Sequence, residues 1–142
     1  MSVNRRPARG RVRAMERTAL FLAAVLGFLG VALGAFGAHG LKKRLAAVSD
    51  GDQRLAWWNT GAQYQLIHAL AIGLSALRPD PMHHGSAAAP WLFAGGVVLF
   101  SGSLYAMTLT GRRKLGAVTP IGGLLFLAGW AAVAYNALLI VD

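Results

Sequence analysis

The sequence predicts an all-α fold: an integral membrane four-helix bundle with short loops. Two observations predict it. Of 142 residues, 56% are hydrophobic and only 13% are charged, and the mean hydropathy is +0.50. That is about half the charged share of a soluble domain, so the excess apolar area must face lipid or a partner. The uncharged residues also fall into four runs, each long enough for the roughly 20 helical residues that cross a hydrocarbon core. Lipid offers no hydrogen bonds, so a spanning backbone must satisfy itself, which selects helices; strands would need about ten residues of alternation each.

Residues 1–17 form a basic tail, with Arg5, Arg6, Arg9, Arg11, Arg13 and Arg17 against Glu16. Such a segment is expected to be disordered and to lie near anionic headgroups. Met15 is a second candidate start. The first span covers 18–40, with His39 counted as neutral. It ends in small residues, Ala35-Phe36-Gly37-Ala38, as a secretory leader does, but a leader's apolar core is only about 7–15 residues. Its small residues Ala23, Gly27, Gly30, Gly34 and Gly37 recur in steps of four and three, which places them on one helix stripe. Gly30 and Gly34 make a GxxxG pair that permits close helix approach. A disposable leader has no use for such a stripe, so the run is expected to stay as a span. Gly34→Leu is accordingly expected to break a helix contact.

After it, Leu41, Leu45 and Val48 share a face beside Lys42, Lys43 and Arg44. A short interfacial helix and an extension of the first span fit this periodicity equally. Asp50-Gly51-Asp52 marks a turn. The second span covers 55–77 and stops at Arg78-Pro79-Asp80-Pro81, because a residue before proline avoids the α region. The third covers 90–110. Pro90 suits a first helical turn, and Gly111 supplies a C-terminal cap before Arg112-Arg113-Lys114. The fourth covers 119–141, opened by the cap-and-proline pair Thr119-Pro120. Gly95 and Gly102 on the third span, and Gly122, Gly123 and Gly129 on the fourth, are read as packing glycines.

The second span is the least lipid-like. Thr60, Tyr64, Gln65 and His68 share one face at helical spacing. A mid-span ionisable group is by default a functional candidate facing the bundle interior. Tyr64 and Gln65 would orient His68 in a proton- or ligand-handling site. A neutral histidine tying two helices together is the reading the sequence favours, because no acid accompanies it. Ser101 and Tyr105 on the third span are four residues apart and face this cluster. His39 ends the first span; His39 and His68 alone are a weak haem or metal pair, and no metal or cofactor is expected. His83 and His84 fall in a loop rich in Pro, Gly, Ser and Ala.

With 0 Cys, thiol catalysis, disulfides and thiolate metal sites are excluded. No acid lies inside a span, and no G-x-S-x-G, P-loop or HExxH motif occurs. The net charge of +9 is clustered between apolar runs, where membrane edges fall, so anionic headgroups rather than nucleic acid are the expected partners. Basic residues divide equally between the two sides of a four-span topology: Arg5, Arg6, Arg9, Arg11, Arg13, Arg17 and Arg78 on one, Lys42, Lys43, Arg44, Arg54, Arg112, Arg113 and Lys114 on the other. The precedence of the first helix leans the termini to the cytoplasm.

Four blocks, one per span, carry a family resemblance. They are Gly34-Ala35-Phe36-Gly37-Ala38-His39-Gly40-Leu41; Trp58 and Thr60 with Tyr64-Gln65 and His68-Ala69-Leu70-Ala71; Phe100-Ser101-Gly102-Ser103-Leu104-Tyr105 with Leu109-Thr110-Gly111; and Leu115-Gly116, Thr119-Pro120-Ile121-Gly122-Gly123, Phe126-Leu127 and Gly129-Trp130. Together they resemble domain-of-unknown-function family 423, whose eukaryotic relatives are called transmembrane protein 256-like. The resemblance runs from about Arg17 onward. Gly61 stands where the pattern has alanine, and the Arg-rich tail lies outside it. The resemblance implies a multi-span inner-membrane protein of bacteria and no particular activity.

The expected function is therefore non-enzymatic: a structural or accessory subunit acting through helix contacts with itself, a larger complex or lipids. The alternative is an oligomeric transporter, channel or proton-conducting subunit centred on His68, Tyr64 and Gln65. A haem- or metal-binding subunit ranks third.

Overall fold

The computed structural model describes residues 6–77 and 88–138. The chain forms α1 (Arg6–Phe36), a π turn (Gly37–Leu41), a short α2 (Lys42–Leu45), α3 (Gly51–Leu77), α4 (Ala88–Thr110), a 3₁₀ turn (Arg113–Ala117) and α5 (Thr119–Leu138). Among the described residues the fold is all-α, with four long helices, and three stretches are long and apolar enough to cross a membrane: Ala14–Leu45, Ala88–Thr110 and Arg113–Leu138. α3 has 27 residues, about 40 Å at 1.5 Å per residue. Its composition falls short because Gln63, Gln65 and His68 dilute it, yet it packs lengthwise between α1 and α4, which both qualify. The Arg78-Pro79-Asp80-Pro81 stop, His83, His84 and Arg5 lie outside the described residues.

One expectation changes, and one open alternative is settled. α1 begins at Arg6 rather than near Thr18, so residues 6–17 are helical and not a disordered tail: Arg, Ala, Met and Glu are good helix formers that propagate a helix already anchored by a long span, and Pro7 falls in the first turn, where it is tolerated. Beyond Phe36 the chain continues through the π turn into α2, so Leu41 and Leu45 belong to an extension of the first helix. Both are buried against Trp58, and that burial outweighs the pull of an interface on the face they share.

The ends follow local chemistry. Pro90 sits in the first turn of α4, and α5 opens at Thr119. Gly111 adopts φ 70, the left-handed conformation that favours glycine at a helix end, and its N–H bonds the Met107 carbonyl at 2.8 Å.

The helices pack in the order α1, α3, α4, α5. Contacts fix the register. Leu26 meets Gln65 and Leu33 meets Trp58 between antiparallel α1 and α3. Between α4 and α5 large and small residues exchange roles along the seam: Phe93 covers Gly129, Phe126 covers Gly96, and the Phe100 backbone covers Gly122. Phe93, Phe126, Ile72 and Val97 form the main core with the small residues Ala19, Ala71, Ala76, Ala89 and Ala94. α1 and α5 turn Phe21, Phe28, Val31, Leu124 and Leu127 outward, an apolar surface suited to acyl chains.

The packing glycines sort into three groups. A Cβ at Gly30 would lie 2.8 Å from Leu66, at Gly37 2.6 Å from Trp58, and at Gly129 2.5 Å from Phe93. Gly27 and Gly95 are in looser contact, at 4.0 Å from Ala69 and 3.3 Å from Leu125. Gly34, Gly102 and Gly123 face open space, with nothing within 4 Å. They are not packing glycines within the chain. A helix advances 100° per residue, so a long small-residue series drifts off a partner that crosses it locally. Gly96, absent from the sequence-derived set, is pressed by Phe126 instead.

Candidate functional site

The polar residues of α3 reach its three long neighbours. Gln65, 3% exposed, is the central clamp. Its Nε2 donates to the Leu26 carbonyl of α1 at 2.8 Å, and its Oε1 accepts from the Tyr105 hydroxyl of α4 at 2.9 Å. One amide, which carries donor and acceptor on the same group, therefore joins three helices. Two turns earlier, Trp58 Nε1 donates to the Leu33 carbonyl at 2.8 Å, next to the π turn, and its ring lies against Tyr105 and Phe36. Gly37 leaves the space that the indole fills.

His68 faces the other side. Its ring lies 3.5 Å from that of Phe126 at an interplanar angle of 7°. Nδ1 is 2.8 Å from the Tyr64 carbonyl, and Nε2 is 3.4 Å from Trp130 Nε1 on α5. A carbonyl only accepts and an indole N–H only donates. These two partners therefore assign the neutral tautomer with the proton on Nδ1. His68 joins α3 to α5 as a neutral ring with both nitrogens engaged.

Around this pair the remaining candidates separate. Tyr64 is partly exposed and lies against Phe100, with ring centroids 4.6 Å apart. Thr60 is exposed and returns its hydroxyl to the Ala56 carbonyl of its own helix, so it is not part of the cluster. Ser101 is buried between α3 and α4, its carbonyl facing Gly61, and its hydroxyl has no hydrogen-bond partner among the described residues. Gly61 admits Tyr105: a Cβ there would lie 3.0 Å from the Tyr105 ring. His39 is exposed on the π turn. Because Gly37 lies beside Trp58, and His68 is ten residues further along α3, the two histidines differ by about 15 Å in height. Among the described residues no three His, Asp or Glu side chains come together as metal ligands.

Three ties between helices were not foreseen from the sequence. Ser103 bonds Thr119 across α4 and α5 at 2.7 Å. The Thr108 hydroxyl lies 2.9 Å from both the Leu104 and Arg54 carbonyls, tying α4 to α3. Trp130 supplies the N–H for His68. Serine and threonine usually bond their own helix, so no sequence signal marks the ones that reach across.

The end of the bundle holding the turns after α2 and α4 is basic. Asp50 holds Arg54 at 2.7 Å and Arg113 at 3.8 Å, linking the two turns. Arg44 lies over Phe36 and Arg113 over Trp57, at 6.0 and 5.9 Å from the ring centroids. Exposed Lys42, Lys43, Arg112 and Lys114 complete the collar.

The sequence that builds this arrangement matches a known family. Residues 33–123 match the model of a protein family of unknown function, DUF423. The chain belongs to that family. The DUF423 match takes in the π turn, Trp58, Gln65, His68, Ser101 and Tyr105, and ends at the Gly122-Gly123 pair. Among curated proteins, a UPF0382 membrane protein of Haemophilus influenzae is 45% identical over 86% of this chain and 94% of its own length. The UPF0382 inner membrane protein YgdD of Escherichia coli is 45% identical, covering 87% and 91%. YwdK of Bacillus subtilis, also a UPF0382 membrane protein, is 42% identical, covering 83% and 94%. No solved structure matches. This DUF423 chain is thus a multi-span membrane protein, placed with inner-membrane proteins.

Proposed function

We propose that the protein is a non-enzymatic structural or accessory subunit of the inner membrane, acting through helix and lipid contacts, with the polar residues of α3 serving as fasteners. One observation carries this reading: Gln65 uses both ends of its amide on neighbouring helices, and His68 engages Nε2 with α5 and Nδ1 with the Tyr64 carbonyl of its own helix. A histidine that passes a proton needs a free ring nitrogen, and both of His68 are engaged, while Gln65 is held at both ends of its amide. In a membrane, helices gain no hydrophobic force from one another, so inter-helical hydrogen bonds and close packing supply the association. The basic collar contributes contacts to anionic headgroups.

The test is flux. Purified wild type and His68→Ala are reconstituted in liposomes and assayed for proton and ion leak, with helicity checked by circular dichroism. The expected outcome is no flux above protein-free vesicles from either. Flux through wild type that disappears in His68→Ala would overturn the fastener reading in favour of transport.

A further inference from the structure

The outward face of α3 is unlike those of α1 and α5. Ala56, Thr60, Gln63, Ile67, Leu70, Leu74 and Leu77 are all exposed, and their spacing alternates strictly between four and three. That is a repeat of 3.5 residues, the spacing that keeps one seam in register with a facing helix as the two coil left-handedly. The flanking faces of α1 and α5 keep their exposed polar groups, Arg17, Thr18 and Tyr135, toward the helix ends; between these they are apolar, and acyl chains satisfy them. The α3 seam is not: it carries the Gln63 amide eight residues past Leu55, about 12 Å along the span. Gln63 has no hydrogen-bond partner among the described residues, and acyl chains provide none. Thr60, by contrast, is satisfied by the Ala56 carbonyl.

The chemistry of the unmet group points to its partner. The seam bears no charge, so it does not select a charged helix. A primary amide carries both donor and acceptor, so it complements its own copy, and a twofold interface brings identical residues together. We propose that this face of α3 is a self-association surface: a second copy packs its own α3 against it in parallel, about a twofold axis along the membrane normal, with the two Gln63 amides hydrogen-bonded across the seam. Leu70, Leu74 and Leu77 fill the half of the seam beyond Ile67, and Ala56 lets the other half close. The proposal rests on the fastener reading above and supplies its partner.

The chain has 0 Cys, so single cysteines can be introduced without background. Ile67→Cys, Leu70→Cys and Leu74→Cys are oxidised in native membranes beside Phe28→Cys on α1 and Leu127→Cys on α5, which are equally exposed. A disulfide forms only when Cα atoms approach within about 7 Å. The expected result is a band at twice the chain mass from the α3 variants and none from the other two. In bilayers, Gln63→Leu is expected to weaken dimerisation about three- to twentyfold by energy transfer between labelled copies, the worth of one inter-helical hydrogen bond in a membrane, and Gln63→Asn to retain part of it. Absence of the band from all α3 variants, equal bands from the α1 and α5 positions, or a product of another mass containing a different protein would each overturn the proposal. Such a failure alongside absent flux leaves the fastener reading standing; a dimer that conducts removes that reading and keeps the interface.

Discussion

Replacing Gln65 by leucine tests the central clamp, because leucine matches its bulk closely and removes only the amide. Two hydrogen bonds disappear: Nε2 to the Leu26 carbonyl and Oε1 from the Tyr105 hydroxyl. Their loss is unequal. The Leu26 carbonyl sits inside α1 and retains its helical partner, so only a second bond is lost, about 0.6–1 kcal/mol for an inter-helical bond in a membrane. The Tyr105 hydroxyl has no second partner among the described residues, and an orphaned buried donor costs about 1–3 kcal/mol. The expected total is about 2–4 kcal/mol. Gln65→Leu with Tyr105→Phe removes donor and acceptor together and spares the orphan. The double variant is therefore expected to be no less stable than Gln65→Leu alone, with a coupling of about 1 kcal/mol between the two sites. Reversible unfolding in mixed micelles, followed by circular dichroism across a denaturing-detergent titration, reads these differences. Strict additivity of the two single variants, or a Gln65→Leu loss under about 0.5 kcal/mol, would refute the clamp, since a hydrogen bond between partners cannot leave them energetically independent.

Two further expectations concern the glycines. Gly37→Ala forces a methyl to within 2.6 Å of a Trp58 ring already held by its own hydrogen bond, costing about 1–3 kcal/mol of overpacking, whereas Gly34→Ala meets nothing and gains about 0.5–1 kcal/mol of helix propensity. Opposite shifts in thermal midpoint in one detergent are the expected result, and equal shifts contradict the packing. Gly122→Ala, whose Cβ would press on the backbone of Phe100, is expected to lose at least about 3 kcal/mol or fail to fold, because a backbone cannot rotate aside, while neighbouring Gly123→Ala stays near wild type; detergent size-exclusion profiles and melting of the pair check this.

The composition and the spacing of charge determined by themselves that this chain lives in lipid as a helical bundle. They also located the helix ends at Gly111 and Thr119, and the start of α4 to within two residues of Pro90, because an apolar run of bilayer length and the φ preferences of proline and glycine act within a few residues of themselves. Periodicity likewise placed Gln65, His68 and Tyr105 on inward faces. What those groups bond was decided only when the helices met. The partners of Gln65 lie 39 and 40 residues away and that of His68 Nε2 lies 62 away, and no local pattern encodes which carbonyl or indole arrives there. The same reason divides the glycines. Gly30 and Gly34 are indistinguishable as a sequence motif, yet one lies under Leu66 and the other faces open space, because the crossing of α1 over α3 fixes which turn of the stripe is touched.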